Sequence, residues 1–538
     1  MRRRSATAVL VAAAFTLAAC GGDDDSTVDS PSDPTDAPST DEPATTDAPD
    51  TGTGTTIADE PTDEPAAAPT GELRVGEALA WMTWDPIQLV RSGYDMAWLG
   101  PIYEPLFEVN PDLSLESTLL ADWELSAEAL EMTLLEGIRF QDETPLDAEA
   151  LKYNLLRMRD TEGPSQSDFA SIADVEVVDP LTVRVELSSP TFHLPYILSR
   201  DAGLIVSPEA AEAGTLETNP VGTGPWTLNL DETQADAQAV YDAWPGYRDL
   251  SQQRLARIYI YPGTFGPEPY SAGDIDISWF PGPLRPALEA AGATITSQPY
   301  SGGQMIAFLD RGPGGVFEDE QVRRAVAAAI NRETLAEVTG GKGEARAVPV
   351  TGDDYAASDE LSGVAYEPDI TASLLEEAGV SDLSFSMPVY PQNQGLMEAL
   401  QALLGEHGIE VSLVPITGSI FVECSSGNYE ACLFPDPAVH PAQMYSLFVR
   451  SETFLNPSGV EAAAVTAAAD AALAEPELST AEPLWTEWYR AVFNDDVALT
   501  YLIREPNAMA YNADRVEEPN LRFVSPTAID FRGLSLVE

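Results

Sequence analysis

The residues best suited to chemistry fall in one stretch, VECSSGNYEACLFPDP, residues 422 to 437, and AVHP follows it closely. It holds two of the chain's three cysteines, Cys424 and Cys432, then Asp436 between two prolines. His440 stands four residues further on. Four chemistries fit such residues: a metal clip, a redox pair, a disulfide staple, or a ligand site built around a carboxylate. One histidine alone is a poor holder of a bare transition metal, and the sequence offers no dense ligand set around it. The compartment must narrow the choice.

The first cysteine speaks to the compartment. The chain opens MRRRSATAVLVAAAFTLAAC. A basic start, a short apolar run and small residues are the order of a secretory signal, here residues 1–19. The run is too short to favour a spanning helix. The tetrad Leu17-Ala18-Ala19-Cys20 resembles the bacterial lipobox, which implies that Cys20 is lipidated and becomes the mature N-terminus. An ordinary signal peptide with a chance cysteine is the plainer alternative. Outside the cell, thiols tend to pair, which argues against redox or zinc roles for Cys424 and Cys432. With Cys20 carrying lipid, these two form an even pair. Ser425-Ser426-Gly427-Asn428 supplies a turn between them, so a disulfide closing a small loop is expected. It would stiffen the strand that presents Phe434 and Asp436.

Residues 20–71 read as a tether. They are rich in Asp, Glu, Pro, Thr and Ala, with no aromatic residue and no Lys or Arg. Such a segment buries too little apolar surface to offset its ordering entropy, and charge keeps it extended. The body from about Gly71 to Glu538 is long enough for several lobes with real cores. No later stretch is long and apolar enough to span a bilayer, so lipid is the expected membrane attachment. The formal charge is −61, and lysine occurs only at Lys152 and Lys342. Acids spread along the whole chain suggest a solvated surface, as in a salt-rich habitat, more than one cationic site. Nucleic acid is excluded as a partner, because little here would neutralise phosphates.

Catalysis finds no support. The only histidines are His193, His407 and His440, with no metalloprotease pair and no Gly-x-Ser-x-Gly elbow. The GTGP run, Gly222 to Pro225, lacks the Lys-Ser/Thr pair of a phosphate loop and reads as a tight turn into a strand. No cofactor and no resident metal are expected.

The elements that must position these residues alternate between strand and helix. GELRVGEAL and LARIYIYP read as strands. PLDAEALKYNLLRMRD reads as an amphipathic helix with an acidic start. ADVEVVDPLTVRVELSS is two alternating runs around Asp179-Pro180, a hairpin signal. DEQVRRAVAAAINRETLAEVTG reads as one long helix ending at Gly340. DITASLLEEAGV is a short helix stopped by glycine, and GLMEALQALLGEHGIEVSLVPI is a helix, a break and a strand. The mixture argues an α/β fold.

Several of these segments carry a resemblance, in order along the chain. Tyr103-Glu104-Pro105-Leu106, Ala121-Asp122-Trp123, Gly137-Ile138-Arg139-Phe140 and Asp142 stand in an N-terminal signature. NPVGTGPWTL, GDIDIS, VFEDEQVRRAVAAAINRETL and YEPDITASLLEEAG follow. Together they resemble the extracytoplasmic solute-binding proteins of ABC transporters, family 5, the peptide, dipeptide and nickel group. Glu143 stands where that family usually has glycine, and Asn331 where it usually has aspartate. The resemblance implies a periplasmic-binding-protein-like type II fold: two lobes with a hinge and an extra domain in lobe one. It assigns 72–106, 207–303 and 507–538 to lobe one, 107–206 to the extra domain and 304–506 to lobe two. The chain would cross near Gly302-Gly303 and near Arg504-Glu505-Pro506, where a few residues absorb hinge rotation.

The resemblance also suggests a site. Ligands of open α/β sheets sit beyond the carboxyl ends of strands. Trp81, Trp84, Trp279, Phe280 and Tyr300 lie at such places, as pocket walls or as core. Trp123 reads as core. Asp436 matches an acid that pairs with a peptide's α-ammonium in peptide-binding members, and a desolvated ammonium needs such a partner. Arg311 is a candidate for a ligand carboxylate, and His440 for a metal chelate as in nickel-binding relatives. The expectation is a monomeric binding lipoprotein on the outer face of the cell membrane. It would capture an oligopeptide or dipeptide and deliver it to ABC permease subunits. A nickel or other metal chelate is the alternative ligand. A secreted cell-envelope hydrolase and a sensor or adhesion protein are rivals of other classes.

Overall fold

The strand Glu72–Glu77 buries Leu73 and Val75 between the less buried Glu72 and Arg74, and its last residues Gly76 and Glu77 are buried too. In the computed structural model it runs parallel to Arg257–Pro262 and to Ile277–Trp279. The described residues are 68–89, 95–110, 112–297, 303–340, 343–352, 354–436, 440–451, 453–504, 508–521 and 529–537. The signal, Cys20, most of the tether, Tyr300, and Gly302, Glu505 and Pro506 of the crossings lie outside them.

Around Glu72–Glu77 forms a seven-stranded mixed sheet. Its order is Thr294–Ser297, Ala508–Tyr511, Ile277–Trp279, Glu72–Glu77, Arg257–Pro262, Ala239–Ala243, Trp226–Leu228. A second sheet joins Glu344–Ala345, Leu499–Arg504, Gly303–Phe308 and Ala431–Pro435. Leu499–Arg504 and Ala508–Tyr511 are near neighbours in sequence but belong to different sheets, as do Thr294–Ser297 and Gly303–Phe308. A third, antiparallel sheet lies within 120–187 and contains the expected hairpin, Ile172–Val177 with Thr182–Leu187. Asp179 turns it by accepting from the Leu181 and Thr182 amides. We call the regions of the three sheets the first lobe, the second lobe and the added segment.

Most of the added segment's buried apolar side chains join a core shared with the first lobe. Met132, Val183 and Leu151 belong to one continuous apolar cluster with Leu73, Trp226 and Ile258 of the large sheet. The second lobe's sheet is covered on both faces, and strand alternation sorts its residues. Met305, Cys432 and Phe434 face one helical layer, while Ile306, Phe308 and Leu433 face the other.

Local signals explain most element ends. Asp147 caps the helix Ala148–Asp160 by accepting from the Ala150 amide. Gly379 and Gly408 take positive φ just after helices, as helix stops require. The single helix expected to end at Gly340 is two, Glu320–Ala329 and Arg332–Val338. Asn331 breaks it: its backbone is extended, and its side chain caps the second helix at the Thr334 amide. Glu143, where glycine is usual, sits at φ 68, the left-handed region that disfavours a β-carbon. At Gly222 and Gly224 the need for glycine is space: a β-carbon would collide with the backbone of Pro101 and Ile102.

Candidate functional site

Asp436 follows directly on the strand Ala431–Pro435, and its amide donates to the Gly303 carbonyl (2.8 Å) where the second sheet begins. Its side chain is 2% exposed. Beside it lies Tyr489, whose hydroxyl is held well above its ordinary value by burial first, then by the carboxylates of Asp436 and Asp354. Arg504 grips Asp354 through both nitrogens, at 2.5 and 3.1 Å. Gly303 belongs to the same floor, since a β-carbon there would strike the Tyr501 hydroxyl. This floor therefore combines a buried carboxylate, a neutral phenol and a paired guanidinium. Such a set suits a cation that can be fully desolvated, because a buried charge is tolerable only when paired and hydrogen-bonded.

His440 is used differently. Its Nδ1 accepts from the Ala442 amide and its amide donates to Gln443 Oε1, capping the helix Pro441–Met444. Its ring stacks on Tyr196 of the added segment at 4.6 Å and meets Tyr355 and Trp485. Burial pushes the imidazole down to about 3, so it is neutral at ordinary pH. Around it the added segment touches the second lobe through side chains. Gln443 donates to the Tyr196 carbonyl (3.2 Å), and Arg450 faces Asp168 at 3.7 Å. Burial raises Asp168 to about 6, against the pull of Arg450 and Arg200.

On the first lobe, Trp81 is half-buried against Trp84 (5.1 Å) and Trp98 (5.3 Å). Trp84 itself is buried, with its carbonyl accepting from Tyr103 and its amide donating to Glu217. Next to it, Asp85 pairs with Arg157 of the added segment. Trp279 is half-buried, edge-on to Phe265.

Two expectations shift here. Phe280 and Phe434 are fully buried in cores, Phe434 between Phe421 and Phe448. Alternation along the strand turns Phe434 to the helical layer with Cys432, not out past the strand end. Arg311 is 5% exposed and directs its guanidinium at Asp496, Asn456 and the Val460 carbonyl. It braces the second lobe's own chain, because its donors meet acceptors there. Trp123, expected as core, packs edge-on against Phe107 (5.2 Å) while half-buried. Cys424 and Cys432 stand at disulfide distance, with Cα atoms 6.3 Å apart. Cys424 belongs to the helix Ile420–Ser425 rather than to a strand, so a bond between the two would tie a helix to Ala431–Pro435. Gly427, within the expected turn, has φ 70. Tyr196, Tyr355, Tyr489 and the Asp354–Arg504 pair were not singled out from sequence. Their partners lie more than fifty residues away, so no local pattern marks them.

The profile of the family described as bacterial extracellular solute-binding proteins, family 5, middle part, matches residues 114–452. That is more than half of the chain. The chain belongs to family 5 of the bacterial extracellular solute-binding proteins. By its description this is a family of extracellular solute-binding proteins. Among its relatives is the glutathione-binding protein GsiB of Salmonella paratyphi A, 28% identical over 329 residues. The match covers 58% of this family 5 chain and 63% of GsiB. Two solved structures share its fold. One is the PBP AgaA in complex with agropinic acid, from A. tumefacien R10, with TM-score 0.78 and 18% identity over 87% of this chain and 99% of that one. The other is the periplasmic binding protein DppA of Helicobacter pylori in complex with the peptide STSA, with TM-score 0.77 and 16% identity over 87% and 98%. The fold is thus the mixed α/β type II binding-protein fold.

Proposed function

We propose that this family 5 protein captures a short peptide with a free α-ammonium between its two lobes and hands it to an ABC permease. The observation that carries this reading is Asp436: a carboxylate 2% exposed, at the end of a strand, beside the start of the second sheet. An α-ammonium placed there would gain a charge-assisted bond in a site already dehydrated. The Asp354–Arg504 pair and Tyr489 complete a polar floor that orients a peptide backbone. GsiB, named for glutathione, itself a small peptide with a free amine, supports the class. The Trp81 and Trp279 faces on the first lobe would give the opposite wall aromatic breadth without demanding one side chain. If the lobes divide as 72–106, 207–303 and 507–538 against 304–506, a hinge at the two crossings would let them close over the ligand. In this reading Cys20 carries lipid and tethers a monomer to the outer face of the membrane. Cys20→Ser should then release the protein from the membrane fraction.

The test is mass spectrometry of ligand retained by the purified protein, followed by titration calorimetry. Short peptides should be recovered. Asp436→Asn should weaken a free-amine peptide by roughly tenfold or more, since a charge-assisted bond contributes about 1.5–3 kcal/mol. It should leave an N-acetylated peptide unaffected. Equal affinity of wild type and variant for the free-amine peptide would remove the ammonium role.

A further inference from the structure

A cavity of 510 Å³ opens between the added segment and the second lobe, and Asp436 is not part of its wall. Trp123, Phe192 and Tyr196 line it from the added segment. Leu478 and Trp485 line it from the second lobe, and the ring of His440 closes one side. Its volume lies in the range of small-molecule sites.

The charges of the wall select among ligands. Three carboxylates, Glu124, Glu475 and Glu477, belong to it, and among the described residues no Lys or Arg does. Nearby His193 and His440 are both neutral, since burial pushes them down to about 4 and about 3. Aromatic faces attract cations and repel anions. An anion would meet three carboxylates with no compensating charge, and a neutral apolar molecule would leave the carboxylates unused. The complementary ligand has an apolar or aromatic body and one cationic head.

We propose that this cavity is a second ligand site, for a small amphipathic organic cation, separate from the floor at Asp436. The body of the cation rests on Trp123, Tyr196 and Trp485, and its head meets Glu475 and Glu477. The occupant touches both the added segment and the second lobe, which otherwise meet there through side-chain contacts. It therefore favours the arrangement in which the two are together, by its differential affinity for that arrangement. The assignment does not depend on what the Asp436 floor binds.

The probe is 2-phenylethylammonium, titrated into the purified full chain and followed by calorimetry and by tryptophan fluorescence. The neutral analogue 2-phenylethanol and the anion 3-phenylpropionate serve as controls. Saturable binding of the cation is expected, at least tenfold tighter than either control. The exposed or half-exposed positions allow Glu475→Gln with Glu477→Gln without touching a core, and the double variant should lose that tenfold preference. Asp436→Asn should keep it. Ser114→Trp, which fills the cavity from its edge, should lower affinity for the cation in parallel. The proposal is overturned by no saturation at tens of millimolar, or by equal binding of cation and alcohol. It is also overturned if binding is lost with Asp436→Asn and kept in the double glutamine variant; that result would assign the probe to the Asp436 floor.

Discussion

The added segment meets its two neighbours in opposite ways. Toward the first lobe it shares one apolar core, in which Phe140, Leu151 and Trp98 are fully buried. Toward the second lobe it has the Tyr196–His440 stack, the Gln443 bond and the Asp168–Arg450 pair around a cavity. A small apolar cluster of Val109, Leu113 and Tyr196, with Tyr355 and Leu478 against it, is the main dry contact there. A continuous close-packed core resists separation, because parting it exposes apolar surface and leaves voids. Polar side chains parted at the second joint regain hydrogen bonds to water, so separating them costs less than opening an apolar core. The difference teaches where rigidity ends: the added segment should travel with the first lobe and part from the second.

The largest expected effect breaks the shared core. Phe140→Ala should cost about 3–5 kcal/mol, as for other buried aromatic truncations. Calorimetry should still show the added segment and the first lobe melting in one transition. A separate early transition for the added segment would contradict the single core.

Acid should attack the other joint. The folded values of His440 and His193, about 3 and about 4, lie below the ordinary 6.5. The native state then binds fewer protons than the unfolded chain. Stability present above pH 6.5 is lost as pH falls toward 3–4, on the order of 3 kcal/mol from each group. Asp168 opposes this: its folded value of about 6 exceeds 3.8, so acid between pH 6 and 3.8 favours the native state. Two groups against one leave a net loss. His440→Asn keeps a capping acceptor but cannot titrate, and should flatten the slope of Tm against pH. An unchanged slope would deny His440 this role.

A smaller effect lies within the second lobe, away from both joints. Reduction of the Cys424–Cys432 pair should lower stability by about 2 kcal/mol, the amount for a short loop. Absence of a mass change on alkylation without reductant, and its appearance after reduction, would establish the bond. Reduction with no loss of peptide affinity would leave it a staple only. The smallest effect is a gain. Glu143→Gly should stabilise the turn after Phe140 by about 1 kcal/mol, by relieving a left-handed residue that bears a β-carbon. A lower Tm would show that the Glu143 side chain contributes more than the strain costs.

Much of the local structure was legible from residue order. The Asp179-Pro180 hairpin, the Asp147 cap and the glycine stops at Gly379 and Gly408 are set by neighbours a few residues apart. The break at Asn331 is hidden in the sequence, because apolar spacing runs on across it while the cap competes locally. Asp436 and the cysteine pair stood out because their types are rare or costly to bury. The roles of Arg311, Phe434 and His440 did not, since each depends on what lies across a sheet or between two segments. Asp496 is 185 residues from Arg311, and the carbonyl of Tyr196 is 247 from Gln443. By itself, then, the sequence determined the family, the α/β class, the element types and the buried acid at a strand end, since these follow from short-range pattern and residue chemistry. Only the tertiary structure decided the shared core, the polar joint and the cavity beside it, because contacts between distant segments leave no periodic trace in the chain that makes them.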